Sequence, residues 1–381
     1  MNKNIKLLIL INDLSFFYSH RLPIAMASKL EGFDVVVGYG QLGGADPKIL
    51  ESKGIKLNHV PMLRGRFNIF SDLKTFICIW NLFKKEKPNV VHLVTIKPYL
   101  YGGIISRLIG IKSTVSAVSG LGSLFLHNNI KSKIVRFILS PFFKIALNHK
   151  NQKVILQNND DANFLIKWGV LSSNKIRIIK GSGVNLKNFT EFEEKSGLPT
   201  VCLASRLLQD KGIYDFISAA KIIKEKKIKA QFFIAGDLDL MNPSGLNSLD
   251  LKKIKKEKCV KVIGYKKNIA KLYSNSHIIC LPSYREGLPK SLAEAAAASR
   301  AVVTTDVPGC RDAIIANKTG LLVPVKNPKK LADAIQFLIE NPQKRMKMGK
   351  AGRVFAEKEF SIEKIVKNHL DIYKELNQKF L

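Results

Sequence analysis

Apolar runs of strand length alternate with stretches of helical spacing along this chain, and the alternation runs through twice. "KLLILI" (6–11), "DVVVGYG" (34–40), "VVHLVT" (90–95), "STVSAVS" (113–119) and "KVILQN" (153–158) read as strands. Between them "HRLPIAMASKLEG", "FSDLKTFICIWNLFKKEKP" and "YLYGGIISRLIG" carry the helical period. Such alternation implies a parallel, doubly wound sheet. The polar stretch "NFTEFEEKSGLP" (188–199) reads as a linker, and the pattern then restarts. Its second set is "TVCLASR" (200–206), "AQFFIAGD" (230–237), "VKVIGY" (260–265), "HIICLPS" (277–283), "AVVTTD" (301–306) and "GLLVP" (320–324). At 381 residues the chain exceeds one ordinary core, so two α/β domains are expected, with a ligand cleft between them. In such sheets ligands sit outside the carboxyl ends of the strands.

Composition narrows the class. Hydrophobic residues make up 46%, which supports a folded soluble protein over a disordered one. The five cysteines (78, 202, 259, 280, 310) have no CxxC and no His-bearing spacing, so they read as reduced core residues of a cytoplasmic protein. "MNKNIKLLILIND" mimics a secretion signal, but it is short, holds Lys6 and meets Asn12 and Asp13 with no small-residue cleavage site. A buried first strand is the reading. No window reaches the roughly 20 apolar residues of a spanning helix. The net charge of +32 is spread over both halves, +18 on residues 1–190 and +14 on the rest. Nucleic acid, anionic lipid and phosphorylated substrates all suit that charge.

The chemistry concentrates in "YREGLPKSLAEAAAASRAVVTTD" (284–306). Glu286 follows a strand, Gly287 and Leu288 come next, and Pro289 suits the first turn of a helix that Lys290 continues. A helix N-terminus there favours a phosphate. Glu294 is expected about two turns inside. Carboxylates are repelled by phosphate, so the two acids should face hydroxyls. A sugar joined to a nucleoside diphosphate supplies hydroxyls on both sides of the diphosphate. One carboxylate then grips the transferred sugar and the other the ribose. Arg206, just after a strand, and Lys211, opening "GIYDFISAAKII", are placed to neutralise a leaving diphosphate without a metal.

These motifs resemble the retaining family-4 glycosyltransferases of the GT-B fold, two Rossmann-like domains facing across a cleft. The family's E-x7-E matches Glu286 to Glu294, and its R…KG matches Arg206, Lys211 and Gly212. "VKVIGY", "TGLLVP" and "GSGVNLKNF" (181–189) follow the family's order, which brings Gly183 and Tyr265 in as donor contacts. The resemblance implies domains at 1–190 and 191–355, with 356–381 a helix crossing back. Many relatives carry a His after the strand at 113–119. Here the loop reads "SAVSGLGSLFLHNN", with Gly120 and Gly122 in its place and His127 further on. "SGLG" and "FYSHRLPIA" (17–25) resemble the branch that builds O-antigens, capsules and lipid-linked oligosaccharides. That implies a polyprenyl-diphosphate-linked glycan as acceptor, with His20 and Arg21 as acceptor contacts or, equally, first-turn helix surface.

Asp237-x-Asp239 is a spacing that binds metal in other transferases and also arises by chance. No metal or other cofactor is expected. Two basic–apolar stretches, 64–70 with Arg64 and Arg66, and 128–153 with Lys131, Lys133 and Arg136, suit docking on an anionic membrane without spanning it. The expected protein is thus a cytoplasmic transferase, peripheral on the inner face of the cell membrane, taking sugar from a UDP-sugar. A nucleotide-sugar epimerase of the same fold and a nucleic-acid-binding protein are the alternatives. The second lacks an aromatic RNA motif and a helix-turn-helix.

Overall fold

A computed structural model describes residues 5–63, 68–121, 130–190 and 193–378, less the side chains of 131 and 378. The chain divides into two compact units, Met1–Ser182 with Ile365–Leu381, and Gly183–Lys364. The divisions fall at 182/183 and 364/365, against 190/191 and 355/356 expected from sequence.

The first unit carries seven parallel strands, β1 (Lys6–Asp13), β2 (Asp34–Gln41), β3 (Lys56–His59), β4 (Val90–Val94), β5 (Ser113–Val118), β6 (Gln152–Leu156) and β7 (Ile176–Ile178), in the order β3-β2-β1-β4-β5-β6-β7. Successive side chains of β1 enter opposite layers: Leu8 and Leu10 pack with Ile79 and Phe83, while Leu7, Ile9 and Ile11 pack with Phe17 and Tyr373. Both faces are therefore covered, as a parallel sheet requires.

The Ile362–Gln378 helix packs on this first unit from Ile365 onward. Its Tyr373 Oη lies 2.5 Å from His92 Nδ1, and Glu375 is held by Lys153 at 3.0 Å and Arg177 at 3.1 Å. Arg21 lies in the same layer, 2% exposed, donating to the His20 carbonyl. Burial lowers its pKa to about 10, so it stays charged at neutral pH. This corrects the reading of Arg21 as first-turn helix surface: the side chain is buried in the interior.

The second unit carries six parallel strands, β8 (Thr200–Ala204), β9 (Gln231–Ala235), β10 (Lys261–Val262), β11 (Ile278–Leu281), β12 (Ala301–Thr305) and β13 (Gly320–Val323), in the order β10-β9-β8-β11-β12-β13. Strand order reverses between β8 and β11, the switch point where such sheets bind ligands. The stretch 188–199, expected as a linker, falls within this unit. Buried Arg345 takes the Glu194 carboxylate at 2.7 Å, because an unpaired interior guanidinium is costly. All five cysteines are free; Cys202, Cys280 and Cys310 are buried, and Cys78 and Cys259 only half-buried.

Tyr373 is fully buried and bonds across to the central strand β4. Tyr373→Ala should therefore cost the first unit about 3–5 kcal/mol, read as a lower urea midpoint for its transition. A change within a few tenths of a kcal/mol would mean that this helix does not stabilise the unit.

Candidate active site in the second unit

Parallel pairing of Ile278 with Val201 sets β8 and β11 side by side, so the loops that follow them converge. After β8 the chain runs through Arg206 and the short turn Gln209–Lys211 into Gly212, whose left-handed φ of +69° starts the Ile213–Glu225 helix. A side chain at Gly212 would strike the Pro282 carbonyl, so only glycine lets the two loops approach this closely. After β11 the chain makes the loop 282–289.

Glu286 and Lys211 meet here as a close ion pair, with side chains 12% and 17% exposed. Ser283 Oγ donates to the same Glu286 oxygen at 2.6 Å. Thr305 Oγ1 at the end of β12 donates to the Ser283 carbonyl, which ties the loop to a third strand. The Glu286 amide donates to the Pro308 carbonyl at 3.2 Å. Gly309 packs beneath with φ +79°, where a Cβ would come within 2.5 Å of the Glu286 and Gly287 carbonyls. The carboxylate is thus aimed by hydrogen bonds and backbone contact, a preorganised acceptor for hydroxyl groups. Ser283, Thr305 and Gly309 carried no sequence signal; their role arises from tertiary contact.

Pro289 stands just outside the Lys290–Ala297 helix as its N-cap, and the helix end has no side-chain cap. Gly287, Leu288 and Pro289 are buried, and Leu288 is core, 7% exposed, so its part in the site is through the backbone. Glu294 lies about one turn into this helix rather than two, with Lys290 Nζ at 3.8 Å. Its side chain is 15% exposed, and burial pushes its pKa up to about 7, against the opposing pull of Lys290.

Arg206 is 48% exposed and pairs with Asp239 at 2.5 Å. Asp237 is exposed, and no three metal-binding side chains gather among the described residues. Tyr265, just past β10, is 68% exposed. Gly183 opens this unit with φ +83°. In the first unit, Gly120 follows β5 with φ +123°, and His20 stacks on Phe16 at 3.9 Å with Nδ1 2.6 Å from Ser19 Oγ. Gly122, His127, Arg64 and Arg66 lie outside the described residues, as does the side chain of Lys131.

The second unit thus brings the ion pairs Lys211–Glu286 and Arg206–Asp239 to the loops around its switch point. Residues 6–158 match the family model described as Glycosyl transferase 4-like, and residues 185–355 that described as Glycosyl transferases group 1. The N,N'-diacetylbacillosaminyl-diphospho-undecaprenol alpha-1,3-N-acetylgalactosaminyltransferase of Campylobacter jejuni is 30% identical over 87% of this chain and 89% of its own. The UDP-Gal:alpha-D-GlcNAc-diphosphoundecaprenol alpha-1,3-galactosyltransferase of Escherichia coli is 28% identical over 66% of each chain. A Rickettsia africae glycosyltransferase superposes with TM-score 0.77 at 20% identity, covering 98% of this chain and 99% of its own. Anabaena HepE in complex with UDP and glucose gives 0.76 at 17%, covering 97% and 100%. The chain belongs to the family-4 glycosyltransferases and has their GT-B fold.

The raised Glu294 pKa has a stability consequence. Between about 4.5, the ordinary carboxyl value, and about 7 the folded protein keeps a proton that the unfolded chain releases, so this group's contribution is full below that window and lost as pH rises through it. Glu294→Gln should then be more stable than the native protein at pH 8, by up to about 3 kcal/mol, with the gap closing towards pH 4.5. Thermal unfolding at both pH values checks this, and a pH-independent difference would refute it.

Proposed function

We propose that this glycosyltransferase is a retaining enzyme that moves a sugar from a UDP-sugar to a polyprenyl-diphosphate-linked glycan at an anionic membrane surface. The observation that carries the reading is the Lys211–Glu286–Ser283 cluster at the β8/β11 switch point, with Arg206 on the same loop after β8 as Lys211. Glu286 accepts hydrogen bonds from hydroxyls of the transferred sugar, and Glu294 from the ribose. Arg206, Lys211 and the Lys290–Ala297 helix end, which has no side-chain cap, hold the diphosphate, and Tyr265 contacts the base. The acceptor hydroxyl attacks the anomeric carbon on the face the diphosphate leaves. As that C–O bond forms, the bond to the diphosphate oxygen breaks, and a diphosphate oxygen takes the hydroxyl proton. Cationic side chains stabilise the charge that develops on the leaving group, so no metal is called for. The relatives that act on diphospho-undecaprenol-linked sugars support this acceptor class.

Membrane docking rests on the first unit. On the Ile130–Leu147 helix, Lys133, Ile134, Phe137, Ile138 and Phe142 are all exposed, Phe137 by 82%. On the Ile69–Glu86 helix, Ile69, Phe70 and Leu73 are exposed, Phe70 by 85%. Both helices pack against the 98–108 segment. Apolar outer faces with interleaved Lys and Arg suit the boundary of an anionic bilayer. No helix among the described residues is long and apolar enough to cross one.

Two measurements test the reading. Arg206→Ala, Lys211→Ala and Glu286→Ala should each keep the fold and lower turnover by about 2.7–4 kcal/mol, or 10²–10³-fold. Wild-type turnover should survive EDTA, and UDP should appear only when acceptor is added; near-native rates in the folded variants would remove the diphosphate role. In flotation, the native protein should rise with phosphatidylglycerol vesicles at low salt, each Lys or Arg near the surface contributing about 1 kcal/mol. A Lys133→Glu, Phe137→Glu variant should stay below. Equal behaviour of the two would leave the membrane reading without support.

A further inference from the structure

Of the two acids in Asp237-x-Asp239, the second reaches across to Arg206. Asp239 Oδ2 meets Arg206 Nη1 at 2.5 Å, and the Asp239 side chain is only 13% exposed where that of Arg206 is 48% exposed. The loop that carries Asp239 is stitched to the segment after β8 on both sides of the pair. Leu207 N donates to the Asp237 carbonyl at 3.0 Å, Leu246 N to the Leu207 carbonyl at 2.9 Å, and Gln209 N to the Ser244 carbonyl at 2.8 Å. Gly245 lies so close to the Asp239 carbonyl that a Cβ there would collide with it. Asp239 is therefore the fixed partner and Arg206 the movable one. A guanidinium has five N–H donors, and among the described residues Arg206 spends one of them, on Asp239.

We propose that Asp239 is a positioning residue that holds the Arg206 guanidinium at the end of β8, leaving its other donors directed to the diphosphate of the sugar donor. This rests on the diphosphate role of Arg206 given above. An exposed arginine loses much rotamer freedom when it binds, and a fixed carboxylate removes that loss in advance. The competing effect has the opposite sign, because a carboxylate beside the site repels the same diphosphate. The sign of the mutational effect therefore decides between a positioning residue and a mere competitor.

Asp239→Asn, Arg206→Ala and the double variant should be compared by calorimetry with UDP and with uridine. Asp239→Asn should bind UDP about tenfold more weakly, bind uridine as the native protein does, and keep its thermal midpoint, since an exposed pair adds little to stability. In the Arg206→Ala background Asp239→Asn should have no further effect on UDP. A merely structural role would weaken both ligands or add to the Arg206 loss. Unchanged or tighter UDP binding by Asp239→Asn, with Arg206→Ala weakened, overturns the positioning role and leaves the diphosphate reading intact. UDP binding unaffected by Arg206→Ala overturns both.

Discussion

The site depends on one pairing. Because β8 and β11 are neighbours through Val201 and Ile278, two loops 75 residues apart in sequence end at the same edge of one sheet. Lys211 and Glu286 can meet only there. The glycines at 212 and 309 let backbone pass where a Cβ would strike a carbonyl, and they bring the loops to hydrogen-bonding range. Everything proposed for the donor follows from that convergence, since a diphosphate needs cations and amides on one side and its sugar needs aimed carboxylates on the other.

Both cations of the proposed donor site have a carboxylate partner. Lys211 is paired with Glu286, and Arg206 with Asp239. These pairs differ in kind. Lys211 and Glu286 are both mostly buried, a setting in which removing one partner leaves the other stranded. Arg206 is half-exposed, and its pair adds little to stability, so its value lies in orientation. Glu294 shows a different tension. Burial disfavours its charge, while the proposed contact to ribose hydroxyls asks for an ionised carboxylate, the better acceptor, so under that proposal the position costs stability to serve binding.

Much of the fold was legible. The eleven apolar runs read from sequence all hold strands, within a few residues at each end. Two strands were missed, β3 with "KLNH" and β7 with "IRI", because both are short, lie at sheet edges and carry polar residues. Of the proposed donor site, the positions of Arg206, Lys211 and Glu286 after strands were legible, and that of Glu294 within the following helix was too, about one turn in rather than two. Ser283, Thr305, Gly309 and Asp239's bond to Arg206 were not, because nothing in local spacing reports a contact between loops from different strands. Arg21 shows the reverse case. Its sequence context allowed surface or acceptor, and the packing of a helix more than 340 residues away placed it in the interior.

By itself the sequence determined which segments are strands, that the sheets are parallel and doubly wound, and which charged side chains stand at strand ends. These follow from hydrophobic period and from Gly and Pro placement, which act over a few residues. Tertiary structure alone decided that Glu286 is aimed by Lys211 and Ser283, that Arg206 is held by Asp239, that Glu294 is buried enough to hold its proton near neutrality, and that Arg21 is walled in by the C-terminal helix. Each is a matter of distance and of exclusion from water between residues remote in the chain, and burial and pairing have no period to be read.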